Sequence, residues 1–125
     1  MGEPARPSAA VLIAEDEPLI RMGAVYLVEG AGFKVYEAGS ADAAIALLEL
    51  HKEICLIFTD VDMPGSMDGL KLAHYVRGRW PPVKIIVTSG HVKVDEETLP
   101  AGSLFIPRPY DADEITHKLG QMLTA

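Results

Sequence analysis

The chain of 125 residues holds one cysteine, Cys55, so no intrachain disulfide can form. Cys55 sits inside the apolar run ICLIF and reads as a small buried hydrophobe. No apolar stretch approaches the ~20 residues of a membrane span. The opening MGEPARPSAA has no apolar middle of the kind a signal peptide needs. These absences lead us to expect a cytoplasmic protein with no membrane association. An excess of positive charge is also missing. Lys and Arg number 11 against 18 Asp and Glu, a formal net charge of −7. Such a chain has no basic surface with which to displace counterions from phosphates, so nucleic acid is not an expected partner. The histidines, His51, His74, His91 and His117, show no metal-ligand spacing and are expected at the surface or rim. There is no internal repeat and no low-complexity segment.

What is present is an ordinary globular composition, 49% apolar and 23% charged, long enough for a single domain with its own core. We expect a loose tail over residues 1–8 and one domain over 9–125. Apolar runs predict strands at Ala10–Ala14, Phe33–Ala38, Ile54–Thr59, Val83–Thr88 and Leu104–Ile106. Helical spacing intervenes. Pro18 opens a pattern carrying Ile20, Ala24 and Leu27, and Ser40 caps one carrying Ala44, Leu47 and Leu48. Asp68-Gly69 begins another, with Leu70, Ala73 and Val76 inward and a stop at Pro81-Pro82. Asp111 caps a last helix with Ile115, Leu119 and Met122 inward. Between Gly90 and Gly102 the pattern is weakly helical at best, around Asp95 to Leu99. Strands alternating with helices predict crossover connections and a parallel sheet covered on both faces. Five strands and five helices fit a flavodoxin-like doubly wound α/β fold of strand order 2-1-3-4-5, with its site outside the carboxyl ends of the strands.

One stretch, FTDVDMPG, ends a buried strand on Asp60 and Asp62 and then breaks at Pro64-Gly65. A single Asp at a strand end is ordinarily a turn or cap residue. Here, however, Glu15-Asp16-Glu17 follow the first strand, Thr88-Ser89-Gly90 end the fourth, and Pro107-Arg108-Pro109 follow the fifth. The fold would bring all of them to one edge. Clustered carboxylates repel unless a cation joins them, and an oxygen-only set of Glu15, Asp16 and Asp60 suits a hard ion such as Mg²⁺. Asp60 could then attack a phosphoryl donor, with Thr88 and Arg108 each holding one oxygen of the transferred group.

VLIAEDEP, FTDVDMPGSMDG, IIVTSG and FIPRPY together resemble the signature segments of response-regulator receiver domains of two-component signalling, from about Ala10 to Leu123. The resemblance implies that Asp60 is the phosphoacceptor and that Glu15 and Asp16 are the Mg²⁺-binding acidic pair. It implies a metal-binding backbone carbonyl at Asp62, a moving hydroxyl at Thr88 and an aromatic switch at Phe105. The loop Met63-Pro64-Gly65 and Asp68-Gly69 would turn the chain around the metal. It implies self-catalysed phosphoryl transfer and autodephosphorylation rather than turnover of an external substrate. The phosphodonor would be a histidine kinase or histidine phosphotransfer protein, and the output a downstream protein target. The family's usual output face, made by the fourth helix, fifth strand and last helix, is also where a homodimer would form. The chain stops about one helix after the fifth strand, so a stand-alone receiver without an output domain is expected.

Two departures stand out. Arg108 occupies the position where the family usually has Lys, and it is a planar fork rather than a compact point charge. The segment between Thr88 and Phe105 is short, so a reduced fourth helix is expected there. Three alternatives share some of these features. A degenerate receiver would bind proteins without phosphorylation. A haloacid-dehalogenase-like phosphatase would share the Asp60–Asp62 pattern but needs a further acidic segment. A flavodoxin would need a phosphate loop where Glu15-Asp16-Glu17 would repel phosphate.

Overall fold

The structure is a computed structural model, and it describes residues 9–90 and 94–123. The expected tail over residues 1–8 and His91 lie outside the described residues. The elements run β1 (Ala10–Ala14), α1 (Pro18–Gly30), β2 (Lys34–Ala38), α2 (Ala41–Leu50), β3 (Ile54–Asp60), α3 (Gly69–Arg79), β4 (Lys84–Ser89), a 3₁₀ turn (Glu96–Thr98), β5 (Leu104–Pro107) and α4 (Ala112–Leu123). The five strands form one parallel sheet of order β2-β1-β3-β4-β5. This is the doubly wound α/β order expected from the sequence.

Side chains alternate along each strand and so divide the core into two layers. Ala10, Leu12 and Ala14 of β1 face α2 and α3, where they meet Ala44, Leu48, Leu72 and Val76. Val11 and Ile13 face the other way, towards Ala24 and Val28 of α1 and Ile115 and Leu119 of α4. The central strands are therefore apolar on both faces, which is why they read as unbroken runs. The edge strand β2 has only Ala38 fully buried.

The helix starts follow their capping residues. Ser40 Oγ accepts from the Ala43 N–H at 3.1 Å, and an Asp68 carboxylate oxygen accepts from the Lys71 N–H at 2.9 Å. Pro18 fills the first position of α1, where its missing N–H costs nothing. Gly65 turns the loop after β3 with φ of 113°, a conformation that favours glycine.

Three expectations are corrected. The count of five helices becomes four α-helices among the described residues, and the reduced fourth helix expected around Asp95 to Leu99 is a three-residue 3₁₀ turn, Glu96–Thr98. Val94 and Leu99 are buried at either end of that segment, but no helical repeat of apolar residues joins them. Pro100 and Gly102 close it off. Among the described residues, the expected output and homodimer face carries this turn and no α-helix. In α3 the buried residues are Gly69, Leu72, Ala73 and Val76; Ala73 and Val76 face inward as expected, but Leu70 is only half-buried and Leu72 takes the fully covered place. Cys55 is half-buried rather than buried, and its thiol donates to the Ala10 carbonyl at 3.3 Å.

Candidate functional site

Register fixes the site. Ala14, the last residue of β1, pairs with Thr59, and Asp60 pairs with Thr88. Ser89 pairs with Pro107, and the Arg108 N–H donates to the Ser89 carbonyl at 3.0 Å. The ends of β1, β3, β4 and β5 thus stand level, and the residue that follows or ends each strand enters one pocket. Asp60 and Glu15 are almost wholly buried and Asp16 is half-buried. Carboxylate oxygens of these three residues lie within 4.8 Å of one another.

Burial dominates the electrostatics. Glu15 is pushed up to about 7 by loss of hydration, and the charges of Asp60 and Asp16 add to the rise. The Glu17 N–H, donating to Glu15 Oε2 at 3.0 Å, and the nearby Arg108 oppose it. Asp60 is also raised by burial, against the pull of Arg108. Arg108 Nη1 lies 3.2 Å from Asp60 Oδ1 and 3.5 Å from Glu15 Oε1. One guanidinium therefore serves two buried acids. The Thr88 hydroxyl is buried beside them with no hydrogen-bond partner among the described residues. A buried hydroxyl left unpaired costs roughly 1–3 kcal/mol, so its position calls for an oxygen acceptor in the pocket.

Glu15, Asp16, Asp60, Thr88 and Arg108 are accordingly brought together as the sequence implied. Asp62 is exposed, and its carboxylate is not part of the acidic cluster. Phe105 is half-buried and packs on the α2–α3 side of the sheet, in the cluster that contains Val94 and Leu99. Glu17 is the N-cap of α1, accepting from the Leu19 N–H at 3.1 Å.

Four further residues shape the pocket: Arg21 and Tyr110 were assigned no role from the sequence, and Gly69 and Gly90 were named there only as parts of turns and strand ends. Arg21 donates from Nη1 to the Glu15 carbonyl at 2.7 Å and from Nε to Glu37 at 3.2 Å, tying the acidic loop to α1 and β2. Tyr110 lines the pocket under Glu15 and Asp60 and packs on Phe58 with ring centroids 5.6 Å apart. A Cβ on Gly69 would stand 1.7 Å from the Asp60 carbonyl oxygen, so only glycine lets α3 begin there. Gly90 lies against the Arg108 guanidinium. Arg21 had a legible signal, a cation one turn into the helix after an acidic triplet. The glycines had none, because close approach is a tertiary event.

The model of the response regulator receiver domain family matches residues 11–120. The chain belongs to the receiver family. It is 35% identical over 120 residues to the sensor kinase CckA of Brucella abortus, covering 93% of this chain and 13% of that protein. It is 32% identical over 108 residues to the transcriptional regulatory protein PdtaR of Mycobacterium tuberculosis, covering 84% of this chain and 52% of the relative. The receiver thus spans about half or less of these relatives' lengths. The crystal structure of the receiver domain from the hybrid histidine kinase CckA superposes with a TM-score of 0.78 at 29% identity, covering 92% of this chain and 99% of that one. A receiver protein of Sinorhizobium medicae superposes with a TM-score of 0.85 at 24% identity over 94% and 95% of the two chains, a likeness of fold.

Receiver domains bind Mg²⁺ and work with histidine kinases or phosphotransfer proteins. The residues here fit the ion. Their donors are all oxygen and lie within 4.8 Å of one another, near enough for one hard cation to draw them into a shared shell. Among the described residues, the two buried acids share one cation, Arg108. No helix of the described residues is long and apolar enough to cross a membrane.

Proposed function

We propose that this receiver is a phosphoacceptor switch in a two-component relay, with Asp60 as the residue phosphorylated. The observation that carries this reading is the pairing of Asp60 with Thr88 across β3 and β4, the Thr88 hydroxyl being buried and unpartnered and Arg108 standing 3.2 Å from the carboxylate. An Asp60 oxygen attacks phosphorus, the bond from phosphorus to the donor's imidazole nitrogen or acyl oxygen breaks, and the electron pair leaves with the donor. Arg108 and the Thr88 hydroxyl hold two of the equatorial oxygens. Glu15, Asp16, Asp60 and the Asp62 backbone carbonyl would hold Mg²⁺, which would neutralise the remaining charge. Attack of water on the same phosphorus returns Asp60 and releases phosphate. The protein is therefore not an enzyme acting on an external substrate.

The phosphodonor is a histidine kinase or phosphotransfer protein. Its docking surface is α1, where Leu19, Met22 and Tyr26 are 76%, 62% and 78% exposed. Leu19 and Tyr26 border a groove of about 410 Å³ that runs to Arg108 and Pro109, so a protein seated on it presents its phosphoryl group to Asp60. The output is a phosphorylation-dependent protein contact in the Val94–Ile106 region, reached when Thr88 moves towards the phosphoryl group and Phe105 responds. The test is binding of beryllofluoride with Mg²⁺, a phosphoryl mimic, followed by amide chemical shifts. Wild type should bind and shift, and Asp60→Asn should do neither. Shifts confined to residues lining the metal would remove the output claim.

A further inference from the structure

The geometry points to Gly90 as the positioning residue that allows an arginine to serve this pocket. Arg108 is longer and broader than the lysine for which such a pocket is usually built, and something must yield to admit it. A Cβ on Gly90 would stand 2.8 Å from Arg108 Nη2, 3.1 Å from Nε and 3.3 Å from Cζ. The Nε–Nη2 side of the fork thus lies directly on the glycine. The remaining nitrogen, Nη1, is the one aimed at Asp60 and Glu15. Gly90 is not needed for its backbone, because its φ lies outside the left-handed region. What residue 90 supplies is space.

The backbone is held at the same point. The Arg108 N–H donates to the Ser89 carbonyl at 3.0 Å, so residues 89–90 and 108 cannot separate without breaking the join of β4 and β5. A methyl at position 90 would then displace the flexible end of Arg108 rather than the chain. The guanidinium would leave the two acids, and the fold would remain. Lysine, a linear chain ending in a compact ammonium, carries no lateral nitrogen to meet that methyl. Residues 90 and 108 are therefore a matched pair: glycine with arginine, while lysine at 108 tolerates alanine at 90.

This inference rests on the proposed role of Arg108 in holding a phosphoryl oxygen, and its test separates the two. In metal-free, ¹⁵N-labelled protein, the Arg108 Nε–H resonance reports whether the fork is held. It should move to the solvent-exposed position in Gly90→Ala, while the fold stays intact and the melting temperature falls no further than in Arg108→Ala, which leaves the same two acids unpaired. Beryllofluoride affinity in the presence of Mg²⁺ should fall roughly tenfold in Gly90→Ala, the loss of one charge-assisted contact. The double variant Gly90→Ala/Arg108→Lys should match Arg108→Lys alone within about twofold. An unmoved Arg108 resonance, or an equal loss of affinity from Gly90→Ala in both backgrounds, would overturn the pairing. Failure of wild type to bind the mimic would count against the proposed function, and the metal-free resonance would still decide the role of Gly90.

Discussion

Glu15 carries a proton or not according to what shares its pocket. Its carboxyl is pushed from an ordinary 4.5 to about 7, chiefly by burial. Between those values the folded protein holds a proton that the unfolded chain has released, so this group's contribution to stability falls as pH rises. We expect the stability difference between metal-free wild type and Glu15→Gln to shift against wild type from about pH 5 to about pH 8, read by thermal melting. Mg²⁺ should reverse the sign, because it needs the ionised acid: its affinity should rise across the same window with release of a proton, measurable by calorimetry in two buffers. Gly69 makes a second prediction at this scale. Its missing Cβ would overlap the Asp60 carbonyl at 1.7 Å, and a backbone atom cannot rotate away. Gly69→Ala should cost about 3 kcal/mol or more, against about 1 kcal/mol for removing the adjacent cap in Asp68→Ala. Equal losses in chemical denaturation would show that the close approach is not what position 69 protects.

Helix α1 and the segment between β4 and β5 are the two elements that distinguish this receiver's surface. On α1, Leu19→Ala or Tyr26→Ala should leave phosphorylation by a small acyl phosphate unchanged yet slow transfer from a protein donor by about tenfold or more, as loss of an apolar anchor does. Equal rates from the protein donor would move docking elsewhere. Between β4 and β5, where the described residues form a 3₁₀ turn, Thr88→Ala should still bind beryllofluoride while the chemical-shift response at Phe105 shrinks. The elements themselves were largely legible in the sequence, because buried parallel strands are continuous apolar runs and helices here begin at Ser40, Asp68 and Pro18, whose chemistry is local. The phase of α3 was less so: Leu70 and Leu72 are equally apolar, and only packing against β4 decides which is covered. Gly69 and Gly90 gave no local sign, since their importance lies in Asp60 and Arg108, distant in the chain or folded across from it. The convergence of Glu15, Asp16, Asp60, Thr88 and Arg108 was legible because strand order alone brings the strand ends to one edge.

The whole molecule is a device for holding three acids, a hydroxyl and a guanidinium at the end of one sheet. Charge and solvation oppose that arrangement, and the two apolar layers around the central strands hold it in place. Mg²⁺ should therefore stabilise the fold by mass action, by about 2.7 kcal/mol at a hundred times its dissociation constant, and Asp16→Ala should remove most of the effect. A melting temperature that ignores Mg²⁺ in a metal-stripped sample would contradict the metal site. The central claim is that Asp60 is a phosphoacceptor, and intact-mass measurement after brief treatment with a small acyl phosphate and Mg²⁺ tests it most directly. The account predicts one added phosphoryl group, labile to base, absent without Mg²⁺ and absent in Asp60→Asn. Wild type that takes up no phosphoryl group, or an Asp60→Asn variant labelled as fully as wild type, would contradict it.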